Sequence, residues 1–270
     1  MTPIAIAIAI IRYGELPAVR ISASDGAEAI LTLYGAHLVS WKTPDGRQRL
    51  FCSAKSALDG NKAIRGGVPV IFPQFAERGA GMRHGFARVN AWRLADSPAS
   101  EVCARAVFML SQDDLAPAMA AAWPHRFNLT LSVGLEGGKL LLALDVLNTG
   151  SDTFTFSSAL HTYFLVDEIG AVRIGGVQDG ALHIDDKLDR IYRDVKGAIT
   201  LTQPGSTLTL SQSGFRDAVV WNPGAVDTAA LADMENEEYR RFVCIEPALI
   251  GPLSLAPGDA WRGEHQVSAQ

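Results

Sequence analysis

FNLTLSVGLEGGKLLLALDVL, residues 127–147, is the stretch on which the fold class turns. Residues 127–135 and 139–147 each carry the period-two patterning of a long strand. Gly137-Gly138 stands between them, as a tight hairpin requires. Residues 140–144 are apolar on both faces, which implies a strand covered on both sides.

The same period extends outward. Upstream, residues 18–24 put Val19 and Ile21 on one face and Arg20 and Ser22 on the other. Residues 29–34 and 37–42 form a further pair joined at Gly35, and Thr43-Pro44-Asp45-Gly46 is a strong turn. Another strand is expected over 101–110. Downstream, 152–158 alternates, with Phe154 and Phe156 on one face. Further strands are expected over 171–174, 191–195, 199–201, 207–211, 218–220, 242–246 and 260–267. Helices are few and short: 53–58, 113–122 and part of 229–239. No repeat, low-complexity tract or linker divides the chain. One all-β antiparallel sandwich over residues 1–270 follows.

Composition agrees with an ordinary globular protein and narrows its partners. The 270 residues are 48% hydrophobic and 20% charged, with net charge -5. A nucleic-acid binder would carry a basic domain, so none is expected as partner. Cys52, Cys103 and Cys244 are odd in number and lack a CxxC pair, which argues against a disulfide framework or zinc knuckle and for free thiols. The apolar N-terminus has Ile4, Ile6, Ile8 and Ile10 alternating with alanine. No basic residue precedes it and it is too short for a bilayer, so it reads as a strand. A cytoplasmic monomer without membrane contact is expected.

Three polar clusters interrupt the apolar pattern. In IRGGVPVIFPQF (64–75) and RHGFAR (83–88), Gly66 and Gly67 admit a ligand close to the backbone, and Arg65, Arg83 and Arg88 offer guanidinium forks suited to phosphate. The plain alternative is a loop of solvated arginines with an inert His84. In SALHTYF (158–164), His161 is either a satisfied core histidine or a general acid. In FVCIEP (242–247), Glu246 is either an exposed strand end or a buried base with a raised pKa. Asp217, in SGFRDAVVWNP, either accepts sugar hydroxyls or caps a turn.

Taken together and in this order, IRGGVPVIFPQF, HGFAR, ALHTYF, DAVVWNP, CIEPA and LAPGDAW resemble the hexose-6-phosphate mutarotases (glucose-6-phosphate 1-epimerases) of the aldose 1-epimerase superfamily. The resemblance runs from Gly35 to Trp261. It implies the galactose mutarotase-like β-supersandwich, a catalytic pair at His161 and Glu246, and substrate contacts at Arg65, His84, Arg88 and Asp217. Arg83 takes a contact position with a different residue type. Gly224 stands where relatives tend to carry Trp, and residues 233–238 are unusually acidic.

That chemistry needs no cofactor and no metal. Glu246 takes the proton of the C1 hydroxyl, His161 protonates the ring oxygen, and the roles reverse after rotation about C1–C2. A bell-shaped pH profile is expected, with Glu246 on the acid limb and His161 on the alkaline limb. Alternatives are an epimerase of unphosphorylated aldoses and a non-catalytic sugar-phosphate binder. A glycoside hydrolase using Glu246 and Asp217 is a third.

Overall fold

The computed structural model describes residues 7–95 and 103–270. Its strands in chain order begin with β1 (Ala7–Tyr13), β2 (Leu16–Ser22), β3 (Glu28–Thr32), β4 (His37–Lys42), β5 (Val70–Ile71) and β6 (Arg93–Ala95). The middle of the chain supplies β7 (Ala104–Ser111), β8 (Phe127–Glu136), β9 (Lys139–Asn148), β10 (Phe154–Leu160), β11 (Tyr163–Leu165) and β12 (Arg173–Gly175). The last third supplies β13 (Leu188–Tyr192), β14 (Ile199–Gln203), β15 (Ser206–Ser213), β16 (Asp217–Asn222), β17 (Phe242–Leu255) and β18 (Ala260–Ala269). Two short helices, α1 (Pro117–Ala122) and α2 (Gly224–Ala229), sit in connections. None is long and apolar enough to cross a membrane.

The strands make three antiparallel sheets: β1-β2-β3-β4, then β13-β16-β17-β10-β5 with β11 also on β17, and β12-β14-β15-β18-β9-β8-β7-β6. The hairpin expected at Gly137-Gly138 is present. Both glycines have positive φ, 54° and 72°, and β8 and β9 pair from Phe127↔Asn148 to Glu136↔Lys139. A two-residue turn of this hand matches the strand twist.

Strand parity divides the six-stranded sheet into two faces. Val70, Leu160, Ala218, Val220, Val243, Ile245 and Leu249 join the main core with Leu129, Leu131, Leu142 and Leu144 of the large sheet. The opposite face carries Ala159, Val219, Ala248 and Ile250 in one apolar cluster and Tyr163, Phe242 and Cys244 in another. Because successive side chains alternate, this second face is where polar residues of the same strands emerge.

Helix expectations fared less well. Residues 53–58 form irregular chain with a turn at 54–55. Glu238 accepts hydrogen bonds from the Ser53 hydroxyl (2.6 Å) and the Ala54 amide (3.0 Å), a tertiary tie that replaces a helical start. The helix expected in 229–239 lies earlier, as α2, and only a 3-10 turn at Glu238–Arg241 remains of it. Of the strand expected over 191–195 only 191–192 are strand, as the end of β13, which starts at Leu188. The beginnings of the N-terminal strand and of the one expected over 101–110 fall outside the described residues.

Candidate active site

Glu246 sits in mid-strand on β17. The neighbouring register pairs Ala159 with Ala248 and Tyr163 with Cys244, which leaves His161 facing Glu246 across the strands. His161 N donates to the Pro69 carbonyl (3.0 Å), fixing the backbone between β10 and β11. The imidazole Nδ1 lies 3.3 Å from Glu246 Oε1. His161 is 8% exposed and Glu246 1%. Nδ1 of His161 and Oε2 of Glu246 are buried without a hydrogen-bond partner.

Burial governs the electrostatics of this pair. It pushes the His161 pKa well below 6.5, with His84, Arg88 and Arg65 adding to the shift. It pushes the Glu246 pKa well above 4.5, helped by Asp189 and opposed by Arg88. Burial thus disfavours the charged form of each partner. The sequence expectation of a raised Glu246 pKa agrees with this direction.

His84 packs edge-on to His161 with ring centroids 5.5 Å apart, and against Phe75 at 5.2 Å. Its backbone has φ 63° and its amide donates to the Ala76 carbonyl (2.9 Å). The Ala76 amide in turn donates to His84 Nδ1 (3.2 Å). Nδ1 is thus an acceptor. Burial, then Arg88, Arg83 and Arg65, lowers the His84 pKa to about 3, so its Nε2 carries the proton as a donor near neutral pH.

Two arginines face this group. Arg65 donates to the Tyr163 hydroxyl (3.1 Å) and pairs with Asp233 (3.2 Å). Tyr163 in turn stacks on His161 at 4.9 Å and 12°. Arg88 donates to the Arg83 carbonyl (3.2 Å), its Nε is buried without a partner, and it makes no ion pair among the described residues. A half-buried guanidinium without a counter-charge is costly and is ready for an anion. Arg83 lies at the rim, exposed, its guanidinium turned to Glu77 (3.3 Å).

Asp217 lies on the site face of β16 but its carboxylate is occupied. It takes Arg193 (2.9 Å), the Ile250 amide (3.1 Å) and the Asp194 amide (3.2 Å). Three donors thus tie Asp217 to the sheet edge.

Some neighbours were not anticipated. Tyr163, Trp221 and Cys244 share the site face by strand parity, a signal legible once His161 and Glu246 are fixed. Asp233 had no such signal: a loop brings it to Arg65 across 168 residues. Of the acidic stretch, Asp233 reaches Arg65, Glu235 pairs with Lys55 (3.3 Å) and Glu238 ties down 53–54. Gly224 has φ 67°, and a Cβ there would stand 2.7 Å from Asp186 Oδ1 and 2.8 Å from the Lys187 amide. The 186–187 segment leaves no room there for a larger side chain.

Comparison with known proteins agrees with this architecture. The profile described as aldose 1-epimerase matches residues 17–268. A Cenchrus ciliaris protein with the provisional name glucose-6-phosphate 1-epimerase is 34% identical over 271 residues, covering 89% of this chain and 81% of its own. An Escherichia coli K12 protein with the same provisional name is 31% identical over 242 residues, covering 82% and 79%. The crystal structure of a provisionally named mutarotase from Salmonella typhimurium superposes with TM-score 0.87 at 24% identity, covering 99% of this chain and 96% of that one. Galactose 1-epimerase from Lactobacillus acidophilus does so with TM-score 0.72 at 12% identity, covering 98% and 99%. These two share the galactose mutarotase-like fold. The sheet order, the extent of the match and the identity to the plant protein together make this chain a member of the aldose 1-epimerase family of isomerases.

Proposed function

We propose that the enzyme interconverts the α and β anomers of a hexose 6-phosphate, glucose 6-phosphate foremost. The observation that carries the phosphate is Arg88, a half-buried guanidinium with no ion pair among the described residues, beside the His161–Glu246 pair. The names of the plant and Escherichia coli relatives point the same way.

Glu246 acts on the C1 hydroxyl and His161 on the ring oxygen through Nε2. A proton shift within the pair turns neutral imidazole and carboxyl into imidazolium and carboxylate, the reactive distribution, with no net change in protonation. The carboxylate then takes the hydroxyl proton as the imidazolium protonates the ring oxygen. The C1–O5 bond opens, C1–C2 rotates, and the transfers reverse on the other face. His84 donates to a sugar oxygen, while Arg65 and Arg88 hold the phosphate. Asp233 must share Arg65 with the incoming anion. Each positioned proton transfer is worth roughly 10²–10⁴-fold. A dianionic sugar phosphate does not cross a bilayer unaided, so the reading carries a cytoplasmic location.

Arg65 already has a carboxylate partner, and this favours a second reading, in which unphosphorylated aldoses are the substrates. Two-dimensional NMR exchange between anomeric protons separates the two. Exchange enhanced for glucose 6-phosphate and not glucose, and lost in His161→Ala, is the expected result. Equal enhancement for both sugars selects the second reading, and none for either leaves only binding.

A further inference from the structure

Cys244 is the buried site residue for which the reaction has no use. It precedes Glu246 by two residues on β17, so it shares the site face, opposite Tyr163. One ligand atom each from His161, Cys244 and Glu246 lie within 4.8 Å of one another, and all three residues are buried. The Nδ1 to Oε1 separation of 3.3 Å is the bite of two ligands on one small cation. A second observation is independent of the cysteine: His161 Nδ1 and Glu246 Oε2 are buried polar atoms with no hydrogen-bond partner. Native proteins seldom leave such atoms unsatisfied unless a ligand or function claims them.

Thiolate, imidazole and carboxylate together suit a borderline-soft divalent cation better than a hard one. We propose that His161, Cys244 and Glu246 form an inhibitory site for a cation of the Zn²⁺ class, which occupies the catalytic pair and excludes the sugar. Three protein donors leave one position for water, as in open zinc sites. The inhibition rests on the catalytic reading of the pair; the binding does not.

Coordination breaks the Cys244 S–H bond and, from the resting pair, the Glu246 O–H bond. Both protons go to solvent as metal–sulfur and metal–oxygen bonds form, without redox change. The neighbouring groups are Arg65, Arg88 and neutral His84, which oppose or ignore a cation, together with Tyr163 and Asp189. Thiolate and carboxylate outweigh the two guanidiniums only once both are formed.

The test uses Co²⁺ as a spectroscopic probe of the whole chain. Titration is expected to produce a near-ultraviolet thiolate-to-cobalt absorption that saturates at one ion per chain, is displaced by Zn²⁺ and is retained when Cys52 and Cys103 are both replaced by alanine. Cys244→Ala abolishes it, as does Cys244→Ser, the fallback where the alanine variant does not fold. In parallel, Zn²⁺ inhibition of mutarotation is expected to weaken at least 10-fold in the Cys244 variant relative to its own uninhibited rate. No absorption in the unaltered protein, or absorption that survives loss of Cys244, overturns the site. Absorption without inhibition keeps the site and overturns its regulatory role.

Discussion

Glu246 holds its proton late and His161 loses its proton early, because burial opposes both charges. The pair is therefore singly protonated between a depressed imidazolium pKa and a raised carboxyl pKa. A bell-shaped kcat/KM profile follows, with the acid limb below 6.5 from His161 and the alkaline limb above 4.5 from Glu246. Carbon-13 NMR of labelled glutamate checks the assignment: a Glu246 carboxyl titrating along the acid limb would reverse it. Glu246→Gln is expected to lose on the order of 10²-fold or more in turnover while sugar-phosphate affinity, read by calorimetry, stays near that of the parent. Arg88→Leu removes a charge-assisted contact worth about 1.5–3 kcal/mol, so KM for glucose 6-phosphate should rise roughly 10–150-fold with KM for glucose unmoved. Equal changes for both sugars would make Arg88 a scaffold residue. His161, Glu246, Arg65, His84 and Arg88 were all legible as candidates, since polar residues in apolar strands or glycine-rich loops stand out. Asp233 was not, because a tertiary contact from a distant loop leaves no local pattern.

The strand-loop unit carrying His84 depends on Gly85. Its φ is 67°, and a Cβ would lie 2.0 Å from the Phe72 carbonyl oxygen. Gly85→Ala must therefore move the loop or β5. A misplacement of about 1 Å costs on the order of 10²-fold in rate, so loss of kcat with retained circular dichroism is expected, and full activity would show that His84 does not depend on this approach. In the large sheet, Leu144 on β9 is fully buried in the main core. Leu144→Ala should cost about 2–5 kcal/mol in urea unfolding with little change in KM. Long strands such as β8 and β9 were read to within a residue or so, because alternation over ten residues is a strong signal. β5 and β11, two and three residues long, were not, because short segments carry no period.

Across the molecule, acid sensitivity follows from buried neutral histidines. Burial lowers His37 and His265 to about 4 and His84 to about 3. Between about pH 6.5 and 4 the unfolded chain binds protons that the native chain refuses, so stability falls as pH falls. Each such histidine contributes roughly 1.4 kcal/mol per pH unit in that window. Glu246, raised by burial, acts oppositely: its contribution is present at low pH and is lost as pH rises through its folded value. Urea midpoints should drop between pH 7 and 4, and His265→Asn should flatten the slope by about one proton. A flat profile would mean these side chains are hydrated in solution.

Alternation of apolar and polar residues, with Gly137-Gly138 and the other turns, determined by itself that the chain is an antiparallel β protein with few helices. It also singled out the polar residues able to do chemistry, because hydrophobic burial makes each exception visible. Only the tertiary structure decided which of them meet. The register of β17 against β10 and β11 sets His161 opposite Glu246. Packing left Arg88 without a counter-ion among the described residues, occupied Asp217, and turned Arg83 outward to Glu77. Strand parity fixes the face of the sheet a side chain joins, and long-range pairing fixes its neighbours there.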